Sequence, residues 1–243
     1  MIKPRGFDAV FVKKEKLTAD TNTFYFKRPA DFDYNPGQYM KLILKIKNPD
    51  ERGNFRYFTI SSSPTEKEYL TITTRIIKSS FKKTLSGLKA KSIVRIFGPL
   101  DGLDFDPKDK RQRVFLAGGI GITPYHSILH YVVDKRLKIP IILFSSFKTP
   151  EEFIFIKEFN DIEKNHPWFK FIPTITQSGD STKNWNNHVG RIDAELIRKN
   201  VPRIKSSFFN VTGPEQMVMA LSEVVESLGM KQKNIQKETF PGY

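Results

Sequence analysis

The chain has 243 residues, long enough for two domains of ordinary size, each with its own core. Its 40 Lys and Arg outnumber 26 Asp and Glu, a formal charge of +14 that implies anionic partners such as nucleotides, an acidic protein or a nucleic acid. The absence of cysteine excludes disulfides, Cys-based zinc sites, thiolate iron–sulfur clusters and dithiol relays from this chain.

The first residues, MIKPRGFDAVFVKK, carry spaced charges and no apolar stretch of signal-peptide length, the pattern of a cytoplasmic protein. From Phe7 to Phe97 six β-rich runs follow: FDAVFV, NTFYFKR, YMKLILKI, FRYFTI, YLTITTRI and IVRIF. They predict an antiparallel barrel or sandwich. In the fifth run Leu70, Ile72 and Ile76 are expected to face the core, and Thr71, Thr73 and Arg75 to form a polar strip on the opposite surface. Pro36-Gly37 and Gly98-Pro99 predict turns, and Ser79 to Leu88 a short helix. The charged stretch 105–113, with KDKRQR at 108–113, has the composition of a linker.

After it the rhythm changes. Strands are expected at 114–117, 140–145, 169–175, 207–212 and 234–239, with helices near 124–136, 151–164, 192–199 and 214–228, the alternation of a doubly wound parallel sheet. Val114 to Val133 has no charged residue, yet its glycines and Pro124 divide it into strand, loop and helix, so no membrane span is expected. In the last helix Gly213 is the expected cap, Pro214 the start and Gly229 the end, with Met217, Leu221, Val224 and Leu228 as the apolar face. The domains expected are 1–104, a linker at 105–113, and 114–243.

The segment VFLAGGIGITP, 114–124, carries the clearest chemical signal. Gly118, Gly119 and Gly121 allow a sharp turn and close approach of a ligand to the backbone. Thr123 as N-cap and Pro124 as first helical residue would aim free amides at a pyrophosphate. Pro124 stands where the third glycine of GxGxxG would fall, which disfavours the ordinary dehydrogenase pattern. Other constellations are poor: His126 and His130 lack a third metal ligand, Asn210-Val211-Thr212 matches a glycosylation acceptor without a secretion signal, and no P-loop lysine or GxSxG elbow occurs.

Together these motifs resemble the ferredoxin NADP reductase superfamily. Arg56-Tyr57-Phe58-Thr59 is similar to that family's RxY[ST] flavin signature, 118–124 to its GGxGxTP, Gly213-Pro214-Glu215-Gln216-Met217 to the end of its CGPxxM, and Glu238 to Tyr243 (ETFPGY) to its ExFxGY close. The resemblance implies an antiparallel six-stranded FAD-binding β-barrel followed by a doubly wound NAD(P)-binding domain. It implies that Arg56 grips the FAD pyrophosphate, where a bidentate guanidinium suits better than lysine. Phe58 would pack on the flavin and Thr59 would hydrogen-bond its N5, which requires a strand end or bend, since alternation would separate the two. The strip Thr73, Thr74 and Arg75, followed by Ser80, Phe81 and Thr84, matches the second FAD-binding segment, with Ser79 or Ser80 replacing a frequent glycine.

By the same resemblance Thr123, Gly213 and Pro214 line the nicotinamide slot and Glu238 lies near the flavin edge. Tyr243 is either a displaceable lid on the isoalloxazine or a frayed end. Thr212 departs from the family's frequent cysteine beside the hydride path. Ser145, Ser146 and Lys148, with no acidic residue among 143–148, favour NADPH over NADH.

The function implied is hydride transfer from NAD(P)H to FAD N5. Without cysteine, electrons would then pass to something outside the chain: a ferredoxin or flavodoxin, an oxygenase partner, a free flavin or a ferric chelate. A nucleotide-binding regulatory subunit with little turnover is the rival of another class. Nucleic-acid binding is set aside because the flavin motif already accounts for Arg56 and Phe58.

Overall fold

The computed structural model describes residues 2–177, 182–183 and 185–240. They form two compact units, one running to Phe105 and taking in Thr123–Lys135, the other made of Asp106–Ile122 and the chain from Arg136 onward.

The first unit is a six-stranded antiparallel barrel in the order β4-β3-β6-β1-β2-β5. Its strands are β1 (Arg5–Lys16), β2 (Thr21–Lys27), β3 (Tyr39–Ile43), β4 (Phe55–Thr59), β5 (Tyr69–Arg75) and β6 (Ile93–Leu100). Period-2 patterning decides which side faces in: Phe7, Ala9 and Phe11 of β1, Met40 and Leu42 of β3, and Val94 and Ile96 of β6 are buried, while Asp8 and Ile93 stay outside. Gly98-Pro99, expected as a turn, lies instead inside β6. The helix α1 (Ser80–Ser86) starts where expected, capped by the Ser79 hydroxyl on the Lys82 amide.

The polar strip of β5 is not a surface. Thr71 and Thr73 are buried because the barrel nearly closes there, the Ser61 amide just past β4 bonding the Thr71 carbonyl at 2.9 Å. The hydroxyls then satisfy one another: Thr23 with Thr73 at 2.8 Å, and Ser61 with Thr71 at 2.8 Å and with Thr73 at 3.1 Å. Only Arg75 at the strand end stays accessible, 2.7 Å from Asp20.

The helix α2 (Thr123–Asp134) follows the glycine segment in sequence and packs on the barrel. Ser127 Oγ donates to Ser62 O at 2.6 Å, and His126 Nδ1 lies 2.7 Å from Ser61 O. A 3₁₀ turn at Gly119–Ile122 precedes it, so Thr123 is its first residue and not an N-cap, and Pro124 is its second.

The second unit is a six-stranded parallel sheet in the order β10-β9-β8-β7-β11-β12. Its strands are β7 (Arg113–Gly118), β8 (Ile141–Phe147), β9 (Phe169–Ile175), β10 (His188–Val189), β11 (Phe208–Gly213) and β12 (Ile235–Thr239). The chain enters at β7, winds outward through β8 to β10, and returns to the other side for β11 and β12. The order of strands therefore reverses between β7 and β11, and open α/β sheets bind ligands at the carboxyl ends of the strands beside such a reversal.

Its helices are α3 (Ile156–Asn165), α4 (Ala194–Asn200) and α5 (Glu215–Ser227). Val114, Leu116, Ile142, Phe144, Phe209 and Val211 of the sheet pack with Leu196 and Ile197 of α4 and Val218, Leu221 and Val225 of α5. The apolar face of α5 is thus centred on Val218, Leu221 and Val225, with Met217 and Val224 at its margin. Gly213 ends β11, and Pro214 is the N-cap. The charged stretch before β7 is ordered by its own ion pairs, Asp109 receiving Arg111 at 2.7 Å and the buried Arg113 at 3.0 Å. No helix among the described residues is long and apolar enough to cross a membrane.

Candidate cofactor sites

Within the barrel, β4 sorts the first motif by alternation. Arg56 and Phe58 are buried at 8% and 9% exposure, while Tyr57 points outward at 56% and packs edge-on against Tyr39 and Phe55. Tyr57 is therefore separated from the other residues of its motif. Thr59 is buried as well as Phe58 because β4 ends at Thr59. Its Oγ1 is buried without a hydrogen-bond partner among the described residues. A buried hydroxyl costs free energy unless it is bonded, so a ligand acceptor or donor at this point would be matched to an open valence.

Arg56 is held by protein acceptors. Its Nη1 donates to the carbonyls of Arg52 at 2.7 Å, Gly53 at 3.2 Å and Phe55 at 2.6 Å, and its Nη2 pairs with Asp50 at 2.8 Å. The same carboxylate accepts from the amide and hydroxyl of Ser80, at 3.1 and 2.8 Å. Those bonds, Ser80 first and then Arg56, hold the Asp50 carboxyl below its ordinary range. Arg56 and Ser80, 24 positions apart in sequence, are thus brought to one anion. A phosphate reaching them would take donors that Asp50 now occupies.

Phe81 lies fully buried in the barrel core, its ring 5.9 Å from that of Phe58 and 5.1 Å from the Arg56 guanidinium. Thr84 turns its hydroxyl back to the Ser80 carbonyl at 2.9 Å, within α1. Thr73 belongs to the closure network, and Arg75 is committed to Asp20. Thr74 accepts a hydrogen bond from Lys82 Nζ. Lys82 escaped the sequence analysis. Half-buried, it sits with Nζ 4.7 Å from the Phe58 ring centre. Burial first, then the nearby Arg56 and Arg52 charges, push its amine down to about 7. The signal for Lys82 was its position three residues after the capping Ser79, about one helical turn away, legible only once the helix was placed.

In the parallel sheet the strand register builds a row across the carboxyl edge. Ser145 pairs with Ala117, Ala117 with Thr212, and Thr212 with Glu238, so all four share one face. Ser145 Oγ and Glu238 Oε2 are buried without partners among the described residues. Burial pushes the Glu238 carboxyl up to about 7. Thr212 donates its hydroxyl to the Gly121 carbonyl at 2.5 Å, which fastens the 3₁₀ turn to β11. On the opposite face Ser146 pairs with Gly118 and Thr174. Ser145 and Ser146 therefore serve different faces, and Lys148 is exposed beyond the strand end.

The glycines divide by role. A Cβ on Gly121 would meet the Thr212 carbonyl and the Gly213 amide at 2.7 Å, and one on Gly118 would run into Met217 Sδ. These two let β7, β11 and α5 come together. Gly119 has φ +51 and open space where a Cβ would be, so it is the glycine of this loop whose backbone is open to a ligand. Pro214 lies beside Gly118 at the start of α5, and Gly213 accepts from the Phe240 amide at 3.0 Å. Tyr243 lies outside the described residues.

A family model described as an oxidoreductase FAD-binding domain matches residues 8–105, and one described as an oxidoreductase NAD-binding domain matches 115–223. NADH-cytochrome b5 reductase 2 of Candida glabrata is 30% identical over 210 residues, covering 84% of this chain and 69% of its own length. The chain belongs to the ferredoxin NADP reductase superfamily. A glycine betaine monooxygenase reductase subunit of Chromohalobacter salexigens is 25% identical over 233 residues, 94% of this chain, and the chain spans 62% of that relative. In fold the superfamily likeness extends to a ferredoxin NADP+ reductase of Neisseria gonorrhoeae, TM-score 0.78 at 19% identity over 96% of this chain and 98% of that one. The residues present fit the cofactors of the superfamily: the barrel offers a Thr59 hydroxyl unpartnered among the described residues and a cationic cluster, and the sheet offers Ser145 and Glu238 atoms likewise unpartnered beside its reversal point.

Proposed function

We propose that the chain is an NAD(P)H-dependent flavoprotein reductase whose barrel holds FAD and whose parallel sheet holds the nicotinamide nucleotide. The observation that carries this reading is that each unit buries polar atoms without partners among the described residues, Thr59 within the matched FAD-binding region, Ser145 within the matched NAD-binding region and Glu238 on β12 beyond it. When bound, FAD supplies the chemistry of accepting hydride from the reduced nicotinamide and releasing electrons singly or in pairs.

The chain's own residues do the rest. Arg56 and Ser80 orient the diphosphate, Phe58 offers an apolar face, and Thr59 offers its free hydroxyl to the ring edge. Glu238, largely neutral below pH 7, is a carboxyl able to hold or release a proton near neutrality. Thr212 and Gly121 keep the turn at the end of β7 rigid through their hydrogen bond.

The acceptor is external, because the chain has no cysteine to ligate a cluster or form a dithiol. An acidic carrier protein or an oxygenase component suits the +14 charge. Names of relatives, a monooxygenase reductase subunit and a cytochrome b5 reductase, support acceptors of that kind. NADPH is the proposed donor, since Ser146 and the exposed Lys148 stand at the end of β8 and residues 143–148 contain no carboxylate. The test is anaerobic: FAD-reconstituted protein is titrated with NADPH and then NADH while the visible flavin absorbance is followed. Bleaching, faster with NADPH, is expected. Bound flavin that neither nucleotide reduces would replace the reductase by a regulatory subunit.

A further inference from the structure

The half-buried Lys82 has a place in the barrel that the matched motifs do not account for. Its Nζ bonds the Thr74 hydroxyl, lies 4.7 Å from the Phe58 ring centre, and belongs to the group that also contains Arg56, Phe81 and Ser80. No carboxylate among the described residues pairs with it. The charges around it come from every packed element. Arg56 on β4 and Arg52 in the connection between β3 and β4 are cations, and Asp50 in that connection is a carboxylate already taken by Arg56 and Ser80. On β5 Arg75 is paired with Asp20, and on its own helix Lys83 is exposed. An ammonium held among cations with no paired carboxylate is unfavourable unless an anion completes the cluster.

We propose that Lys82 is a binding residue for the FAD pyrophosphate, completing with Arg56 and Ser80 a cationic cradle. This inference rests on the reading of the barrel as the FAD site. The proton balance is explicit. In the flavin-free protein the amine of Lys82, lowered to about 7, is part neutral at neutral pH. A neighbouring dianion favours the ammonium, so a proton passes from solvent to Nζ as FAD binds. Arg56 stays charged throughout and adds no such pH dependence.

The experiment is calorimetric titration of FAD into flavin-free protein at pH 6 to 9, in buffers of different ionisation enthalpy, for the wild type, Lys82→Met and Lys82→Arg. The wild type is expected to lose up to ~10-fold in affinity per pH unit above neutrality and to show proton uptake on binding. Lys82→Met is expected to bind ~10-fold or more weakly at pH 6, with a flat pH profile and no uptake. Lys82→Arg keeps its charge and so binds without uptake across the range. It also controls for a Met variant that fails to fold. A wild type that binds FAD with no proton uptake and a flat profile, or a folded Lys82→Met that binds as the wild type does, overturns the role of Lys82 alone. A wild type that binds no FAD overturns the reading of the barrel as well.

Discussion

The two units treat buried hydroxyls in opposite ways. Inside the barrel Thr23, Thr73, Ser61 and Thr71 bond one another, because a sheet that nearly closes on itself leaves no water for a polar group turned inward. At the carboxyl edge of the parallel sheet Ser145, Thr174 and Glu238 are buried without partners among the described residues. An open sheet ends in a crevice, and there a ligand can supply the missing bonds. Among the described residues Thr59 is the barrel's exception, an unpartnered hydroxyl at the end of β4, and so the point where the barrel behaves like the edge of the sheet.

The largest expected effect tests how tightly that edge is built. Gly121→Ala would place a methyl 2.7 Å from backbone atoms of Thr212 and Gly213, which cannot yield as a side chain would. It should destabilise the protein by about 3 kcal/mol, read as a lowered midpoint in urea unfolding. Gly119→Ala meets nothing within 4 Å and suffers only its φ of +51, a cost of about 1 kcal/mol. Equal losses in the two variants would break the division of roles within the loop.

Next comes Arg56→Ala. Removing a guanidinium that meets both Asp50 and the proposed diphosphate should weaken FAD binding ~100-fold, measured by the quenching of flavin fluorescence. Unchanged occupancy would remove Arg56 from the site.

How far these assignments were legible in the sequence depended on whether the signal was local. The apolar run at the start of the second domain predicted a strand at 114–117, and β7 spans Arg113–Gly118. The short helix expected over Ser79 to Leu88 is α1 at Ser80–Ser86. The face of Thr71 and Thr73 was misjudged because alternation within one strand does not reveal the neighbour that covers it across a barrel closure. Gly118 and Gly121 read as phosphate-loop glycines, yet their need for no Cβ comes from Met217, Thr212 and Gly213, about a hundred residues later. Asp50 and Lys82 escaped altogether. A surface-like carboxylate and one of many lysines become part of a site only when β3, β4 and α1 bring them to Arg56.

Glu238 offers a smaller effect with a definite sign. Its folded pKa of about 7 lies above the ordinary 4.5, so the folded state favours the protonated carboxyl. Stability from this group is fully present below pH 4.5 and is lost as pH rises through 7, a cost of about 2 kcal/mol above that window after allowance for partial exposure. Glu238→Gln keeps the shape without the titration. Its melting temperature should gain on the wild type between pH 5 and pH 8, by calorimetry of the flavin-free protein. Parallel profiles would mean that the carboxyl finds a partner in solution.

Thr59→Val gives the smallest change in the fold and the sharpest separation of fold from function. Valine keeps the branched shape of threonine and removes only the hydroxyl, which has no partner to lose among the described residues. In the flavin-free protein the substitution should therefore be neutral or stabilising by up to ~1 kcal/mol, since a desolvated and unbonded polar atom is removed. In the FAD-loaded protein the same change deletes a bond proposed to reach the reacting edge of the ring, and reduction by NADPH should slow ~10-fold in stopped flow, with FAD affinity reduced far less than in Arg56→Ala. Loss of stability without flavin would show that the hydroxyl already has a protein partner. An unaltered rate would place Thr59 away from the transferred hydride.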